Sequence, residues 1–435
     1  MQLNRNIDII LLDWKKSPSR KPLLLRGARQ VGKSTSVKAF GKQFDYFLEV
    51  NFETEKEIHV FFEGNINVAA ICEKLSVYYN TPIEPDKTLL FFDEIQQCIP
   101  AISALRYFHE QLNKLHVIAA GSLLEFALAE LPSFGVGRIR SVFMYPLSFY
   151  EFLEAKGENK LLDLIKTSNA IDTPFHKKLT EYLRIFMLIG GMPEVVAKYI
   201  DGEPLLEIQT VLDELQASII VDFTKYKNNV PSNRLIEVFE AVVAQSGGKF
   251  NLSKASSNAN HGQIKEALSL LEKAGLIYAV THSAGNGLPL GAETNTKKRK
   301  YLCFDTGIFQ RILGLNIGQF LSKNDQEIVN KGAIAETFVG NEIIKNSNPY
   351  MQERLYYWHR EIPSSNAEVD YLVQKDGQVL PVEVKSSQKG SMQSLLLFMK
   401  EKNSKGIRIS MENFNSFQDI TIIPLYAAGY FLKTS

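Results

Sequence analysis

The stretch from Leu23 to Thr35 reads Leu-Leu-Leu-Arg-Gly-Ala-Arg-Gln-Val-Gly-Lys-Ser-Thr, and it decides the fold of the first part of the chain. Three consecutive leucines are typical of a buried parallel strand. Gly27 and Gly32 permit a tight curl in which several backbone N–H groups point at one anion. The helix-forming residues that follow, Ser36 to Phe40, would add the partial positive charge of a helix N-terminus. This strand, loop and helix predict a site for the phosphates of a nucleotide.

The pattern G-x-x-x-x-G-K-[ST] within this loop assigns roles to individual side chains. Lys33 would reach the β- and γ-phosphates, and the hydroxyl of Ser34 would hold Mg²⁺. The alternative explanation is an ordinary glycine-containing turn with an accidental Lys-Ser. We predict that the whole loop contacts the nucleotide, namely Gly27, Ala28, Arg29, Gln30, Val31, Gly32, Lys33, Ser34 and Thr35.

The bulk composition limits the class of protein. A chain of 435 residues suggests about two to four domains, because domains average roughly 150 residues. The net charge of +1 means that any nucleic-acid binding must come from local patches. Three widely separated cysteines argue against a disulfide framework or a zinc site and fit a reducing cytoplasm. No apolar run is long enough for a membrane span, so we predict a cytoplasmic protein.

A second decisive stretch, Thr88 to Glu94, is an apolar run that ends in two carboxylates. In a parallel sheet, such a strand delivers its acidic residues to the edge where the phosphate loop lies. Asp93 would complete the Mg²⁺ shell, and Glu94 would orient and deprotonate the attacking water. The alternative is a strand that ends in a solvated turn. The separation of 60 residues between Lys33 and Asp93 favours the catalytic interpretation.

Two further residues are candidates for the same site. Ser122 follows the apolar strand Leu115 to Gly121, and its hydroxyl would sense the γ-phosphate or the water. The alternative is a helix N-cap, and one hydroxyl can serve both roles. Arg138 would stabilise charge on the transferred phosphoryl group, in its own chain or in a neighbour, and a salt-bridged loop arginine is the competing interpretation. The predicted catalytic residues are therefore Lys33, Glu94, Ser122 and Arg138.

Strands and helices alternate through this region, which predicts an α/β fold with a doubly wound parallel sheet. These motifs, with Tyr-Pro-Leu-Ser-Phe-Tyr-Glu-Phe at 145–152, resemble the AAA-type P-loop ATPases of bacteria and archaea. The subfamily in question pairs the ATPase module with a C-terminal domain of largely undetermined role. The resemblance implies ATP and Mg²⁺ as ligands of an ATPase core over residues 1–155. Helical stretches over residues 156–230 predict a helical lid.

Residues 231–315 differ in character and predict three helical stretches followed by a two-stranded ribbon, which is the pattern of a winged helix. The third helix, Gly262 to Ala274, is the candidate DNA reader. The basic run Lys297 to Lys300, expected at the ribbon tip, would grip phosphates. The alternative is a winged helix that contacts only protein, with the basic run as a solvated loop.

Two alternating strands in residues 316–435 are joined at Lys375-Asp-Gly377, which is a type I′ hairpin signal. On the second strand, Glu383 and Lys385 share a face about 7 Å apart. Two carboxylates that hold Mg²⁺ beside an ammonium are the minimum for metal-assisted phosphodiester cleavage. This constellation resembles the PD-(D/E)xK nuclease superfamily, and the resemblance implies a second Mg²⁺ or Mn²⁺ site formed by Glu336, Asp370, Glu383 and Lys385. A surface of paired charges, or an ancestral site that only binds nucleic acid, is the alternative.

The predicted architecture is therefore an α/β P-loop ATPase core, a helical lid, a winged helix and a C-terminal α/β restriction-endonuclease-like domain. It favours an ATP-hydrolysing switch or motor that acts on or with DNA. The first alternative is an ATP-gated protein-interaction module, for signalling or defence, with an inactive nuclease-like domain. The second is a DNA nuclease that ATP licenses. A homo-oligomer is compatible with an Arg138 that acts across subunits.

Overall fold

The computed structural model describes residues 3–130, 137–167, 169–225, 230–317, 331–362, 365–387 and 391–432. The chain forms two compact units. The N-terminal unit comprises residues 4–145 and 349–351, and the C-terminal unit comprises residues 1–3, 146–348 and 352–435. The main segment of the N-terminal unit runs to Tyr145, whereas the predicted ATPase core runs to residue 155. Within the described ranges, no helix combines the length and the apolar character needed to cross a membrane.

The N-terminal unit is built on a parallel five-stranded sheet, which confirms the predicted α/β core. Its strands are β1 Leu23–Arg26, β2 Tyr46–Asn51, β3 Thr88–Asp93, β4 His116–Ala120 and β5 Arg140–Phe143. Their spatial order is β2-β3-β4-β1-β5. Every residue of β3 and of β4 is buried, as expected for central parallel strands covered on both faces.

Helices cover this sheet and complete its core. They are α1 Asn6–Lys16, α2 Lys33–Gly41, α3 Val68–Tyr79, α4 Ile99–Gln111 and α5 Leu124–Glu130. The ring of Phe92 on β3 contacts those of Phe52, Phe62 and Phe108, with centroids 5.6 to 5.7 Å apart. All four rings are buried, so the strand that carries Asp93 is anchored in a rigid aromatic cluster.

The C-terminal unit begins with helices: α6 Phe149–Ala155, α7 Asn159–Lys166, α8 Thr173–Ile189, α9 Pro193–Ile200, α10 Leu205–Asp222, α11 Ser232–Ala244, α12 His261–Lys273 and α13 Thr306–Ile312. Ser148 caps α6, since its hydroxyl accepts a hydrogen bond from the Glu151 N–H at 3.2 Å. The break after α8 occurs at Gly190, whose φ of +76° favours glycine. Buried Asp305 secures this turn by accepting from the N–H of Gly191 at 2.7 Å.

An eight-stranded sheet forms the rest of this unit, in the order β12-β13-β11-β10-β9-β8-β6-β7. Its strands are β6 Ile277–Ser283, β7 Thr294–Cys303, β8 Leu355–His359, β9 Glu368–Lys375, β10 Gln378–Val384, β11 Gly406–Ser410, β12 Asn415–Phe417 and β13 Ile420–Pro424. Helices α14 Lys331–Lys345, α15 Gln393–Lys402 and α16 Ala428–Phe431 pack with it. The hairpin between β9 and β10 has positive φ at Asp376 and Gly377, which confirms the predicted two-residue turn.

The ribbon predicted as a wing belongs to this same sheet. Strand β6 pairs with β7 in the antiparallel sense and with β8 in the parallel sense. The boundary predicted between residues 315 and 316 therefore crosses one continuous sheet. The expected position of Lys297 to Lys300 at the ribbon tip is wrong, because β7 begins at Thr294 and pairs Arg299 and Lys300 with β6.

Candidate nucleotide site and C-terminal charge cluster

The phosphate loop connects β1 to α2 through a backbone that requires glycine at two positions. Gly27 has a φ of +142°, and a Cβ there would lie 2.0 Å from the carbonyl oxygen of Met144. Gly32 is the left-handed N-cap of α2, with a φ of +94°. The predicted curl from strand to helix is therefore present, and it places Lys33 and Ser34 in the first turn of the helix.

The side chain of Lys33 is held inside the loop. Its ammonium donates to the carbonyl oxygens of Gly27 at 2.9 Å and of Ala28 at 2.7 Å. Burial lowers the pKa of Lys33 to about 8, although the nearby carboxylates of Asp93 and Glu94 act in the opposite direction. A buried ammonium that is hydrogen-bonded to carbonyl oxygens is suited to receive phosphate oxygens instead.

The predicted Mg²⁺ ligands contact each other. The hydroxyl of Ser34 donates to Asp93 Oδ1 at 2.9 Å. Burial raises the pKa of Asp93, while its hydrogen bond with Ser34 acts in the opposite direction. A hydroxyl and a carboxylate are the hard oxygen donors that Mg²⁺ takes beside substrate phosphates, so these residues fit the ion.

Glu94 is positioned by two polar side chains. Its Oε2 accepts from the Ser122 hydroxyl at 3.2 Å and from the side-chain amide of Gln96. The Ser122 hydroxyl also accepts from Arg29 Nε at 3.0 Å, so the phosphate loop, β4 and β3 are linked in one network. The strand order explains this link, because β4 lies between β1 and β3 and its C-terminal end is flanked by both motifs.

Two residues of this site were missed by the sequence reasoning. Arg5 donates to the carbonyl oxygen of Val31 at 3.0 Å, and so fixes the loop from the start of α1. The side-chain amide of Gln96 donates a hydrogen bond to Glu94 and so orients it. Gln96 has room to do this because residue 121 is glycine: a Cβ on Gly121 would lie only 2.0 Å from Gln96 Oε1. Gln96 carries a weak signal, since it is a polar residue just after the acidic pair, whereas nothing in the local sequence around Arg5 points to the loop.

The structure places Arg138 in a different environment from the other predicted catalytic residues. Its guanidinium pairs with Glu110 of α4, and 51% of its side chain is exposed. This geometry matches the salt-bridged loop arginine of the competing interpretation. The role of Arg138 on the phosphoryl group stays a prediction.

The predicted nuclease residues converge in the C-terminal unit, but around a lysine. Lys300 on β7 lies 3.0 Å from Glu336 Oε1, 3.9 Å from Asp370 Oδ1, and in contact with Glu368. Its side chain is 1% exposed. Burial alone would lower the pKa of Lys300, but these carboxylates outweigh burial and hold the pKa above its ordinary value. Lys300 therefore remains an ammonium and neutralises the acids around it.

The other two predicted nuclease residues pair with each other. Lys385 Nζ donates to Glu383 Oε1 at 2.6 Å, which confirms that they share a face. Asp370 Oδ2 accepts from the backbone N–H of Val384 at 2.7 Å. Glu383 Oε2 is buried and has no hydrogen-bond partner. Burial raises the pKa of Glu383, and Asp370 raises it further.

This cluster does not fit the divalent metal that the nuclease resemblance implies. Such an ion needs several carboxylate oxygens free to coordinate it. Here Lys300 occupies the centre of the acids, and no group of three or more His, Cys, Asp or Glu side chains in the described part of the chain is arranged to hold a metal.

Family models match three parts of the chain. Residues 19–153 match an AAA domain. Residues 180–318 and 331–428 match two domains of unknown function, DUF8612 and DUF4143. An uncharacterized protein of Haemophilus influenzae is 24% identical over 374 residues, which cover 83% of this chain and 81% of that protein.

Among solved structures, the chain is similar to a Walker-type ATPase of Pyrococcus abyssi. It is 15% identical with a TM-score of 0.45, over 72% of this chain and 96% of that one. The ORC1 protein of Aeropyrum pernix, solved in complex with DNA, is 11% identical with a TM-score of 0.31, over 72% of this chain and 93% of that one. The AAA-domain match, on a parallel sheet that carries the phosphate loop, supports an ATP-binding, AAA-type P-loop ATPase within residues 19–153.

Proposed function

We propose that the N-terminal unit hydrolyses Mg²⁺-ATP with Glu94 as the residue that activates water. The observation that carries this proposal is the fixed position of the Glu94 carboxylate, held by Ser122 and Gln96. Ser34 and Asp93 lie within hydrogen-bonding distance of each other, and they would hold Mg²⁺. When bound, this ion neutralises charge on the phosphate oxygens.

The chain's own residues supply the remaining steps. The Lys33 ammonium exchanges its contacts with the Gly27 and Ala28 carbonyls for contacts with phosphate oxygens. Glu94 accepts a proton from the attacking water, and its hydrogen bonds keep the free carboxylate oxygen aimed in one direction. Ser122 connects Glu94 to Arg29 of the phosphate loop, so it reports nucleotide occupancy to the residue that activates water.

A comparison of Glu94→Gln with Glu73→Gln tests the role of the carboxylate. Glu73 is an exposed residue of α3 in the same unit, so its variant controls for the loss of one charge. Glu94→Gln should keep nucleotide affinity but lose turnover by about 10² to 10⁴-fold, as expected for removal of a general base. Fluorescent-nucleotide titration and phosphate release are the two measurements.

The results that contradict this role are clear. If Glu94→Gln loses nucleotide affinity and turnover equally, Glu94 does not activate water. Unchanged turnover in this variant leads to the same conclusion. Lys33→Ala should abolish nucleotide binding, and a normal affinity in that variant would refute the phosphate-loop assignment.

The second part of the proposal concerns the partner of the protein. An ATP-gated module that contacts protein is favoured over one that binds DNA through the basic run of the β6–β7 ribbon. Lys298 pairs with Glu361, Arg299 lies 3.7 Å from Glu272, and Lys300 is buried. Three members of the basic run are thus already close to carboxylates, which weakens their pull on a phosphate backbone.

ATP turnover with and without duplex DNA, over a range of protein concentrations, tests the partner class and self-assembly together. A DNA affinity with a shallow dependence on salt supports the protein-contact module. A steep log–log slope, together with turnover stimulated by DNA, would restore the DNA-acting interpretation. The charge cluster disfavours an ATP-licensed nuclease, because Glu336 and Asp370 lie beside Lys300 and Glu383 pairs with Lys385.

A further inference from the structure

We propose that Lys300 is a built-in cation that takes the place of a divalent metal in the C-terminal charge cluster. The cluster consists of Lys300, Glu336, Glu368, Asp370, Glu383 and Lys385. Its acids come from α14, β9 and β10, and the lysine that joins three of them comes from β7. The inference concerns the C-terminal unit and is independent of ATP hydrolysis.

The geometry around Lys300 is that of an ion enclosed by ligands. Its Nζ contacts Glu336 and Glu368 and lies 3.9 Å from Asp370. The ring of Tyr357 on β8 closes another side, with its centroid 5.1 Å from Nζ. An ammonium enclosed in this way cannot share the same carboxylate oxygens with Mg²⁺ or Mn²⁺, because two cations at such short range repel each other strongly in a buried site.

Lys298 and Lys300 differ in their place on β7. The register between β7 and β6 shifts between Asn295 and Arg299, so Lys298 lies in the irregular segment, whereas Lys300 is paired with Val280. Lys298 pairs with half-exposed Glu361, whereas the buried side chain of Lys300 contacts buried Glu336. Lys298→Met therefore removes a lysine from β7 without removing the enclosed cation, and it is the control for Lys300→Met.

A buried oxygen of Glu383 indicates that the cluster has room for another positive charge. Glu383 Oε2 is buried without a hydrogen-bond partner, and Glu383 and Asp370 act on each other electrostatically. Glu383 is 6% exposed. Removal of the ammonium would leave the carboxylates of Glu336, Glu368 and Asp370 without the cation that lies within 3.9 Å of each, and a divalent cation neutralises hard oxygens of this kind.

The test measures Mn²⁺ binding by the loss of the free-ion electron paramagnetic resonance signal. All variants carry Asp93→Asn and are free of nucleotide, so that the ATPase site does not contribute. The parent variant should bind no Mn²⁺ in the C-terminal unit at millimolar concentration. Lys300→Met should have a lower melting temperature without metal, bind one additional Mn²⁺, and recover melting temperature when the ion is added.

Matched variants make each outcome decisive. Lys298→Met should bind no additional Mn²⁺, and addition of Asp370→Asn to Lys300→Met should abolish the new site. The proposal is overturned if the parent already binds an ion that Asp370→Asn removes. It is also overturned if Lys300→Met gains neither Mn²⁺ nor stability from Mn²⁺. The parent measurement can overturn the proposal even if Lys300→Met is poorly folded.

Discussion

Nucleotide affinity should fall as the pH rises through the pKa of Lys33. The Lys33 ammonium is enclosed by the phosphate loop, where it donates to the carbonyl oxygens of Gly27 and Ala28. Burial lowers its pKa to about 8, against the opposing effect of Asp93 and Glu94. Phosphate binds the ammonium form, so above this pH the free protein must take up a proton in order to bind ATP.

The pKa fixes the size of the effect. At pH 7 most of the free protein carries the ammonium, whereas at pH 9 only about a tenth does. Affinity should therefore decrease about tenfold between pH 7 and pH 9, which corresponds to about 1.4 kcal/mol of binding free energy. Near pH 8, binding should be accompanied by uptake of about half a proton.

Isothermal calorimetry of ATP binding, with EDTA present to prevent turnover, provides the assay. Buffers with different ionisation enthalpies at one pH report the proton uptake directly. Lys33→Arg is the matched control, because a guanidinium stays charged throughout this range and its variant reveals any contribution from ATP itself. An affinity that stays constant from pH 7 to pH 9, or equal proton uptake in Lys33→Arg, would refute the reasoning.

Other residues lead to further expected outcomes. Asp305→Ala should lower the free energy of unfolding by about 3 kcal/mol or more, because it leaves buried N–H groups without an acceptor. Urea titration measures this loss, and Asp305→Asn should show a smaller decrease in the free energy of unfolding. Burial raises the pKa of Glu342 from 4.5 to about 7, so the folded state binds more protons than the unfolded state between these values and stability decreases as pH rises through that window. The decrease that Glu342 contributes is up to about 3 kcal/mol, and melting curves from pH 5 to pH 8 should show a weaker decrease in Glu342→Gln, because its side chain does not ionise. Arg138→Ala should change stability by less than about 1 kcal/mol and turnover by less than about threefold, since Arg138 pairs with Glu110 on the surface, and a loss of about 10³-fold in phosphate release would establish the phosphoryl role instead.

The nucleotide site was largely predictable because its signals are local. An apolar run followed by Gly27 and the Lys-Ser pair specifies strand, turn and helix within a few residues. The run that ends at Asp93 forms β3 from Thr88, the same residue at which the predicted strand begins. Central parallel strands must be apolar throughout, so the first polar residue after such a run marks the edge of the sheet where ligands bind.

The supporting residues were not predictable because their partners are set by tertiary structure. Arg5 lies 26 residues before Val31, whose carbonyl oxygen it contacts, and no periodic pattern connects the two. Gln96 can reach Glu94 because Gly121, which follows β4, has no side chain to occupy the same space. Both depend on which strands are neighbours, and the alternation of strands and helices in a sequence does not specify the strand order.

The basic run at 297–300 shows that a local pattern does not specify what surrounds its side chains. If the run were a loop, its cations would extend into solvent and attract phosphates. Within β7, Arg299 and Lys300 pair with β6 and present their side chains to opposite faces. Arg299 meets Glu272 of α12 on one face, whereas Lys300 meets the acids of α14 and β9 on the other. A charge run therefore predicts an anion site only when its backbone leaves the side chains unpaired, and pairing of β7 with β6 divides this run between two sets of carboxylates.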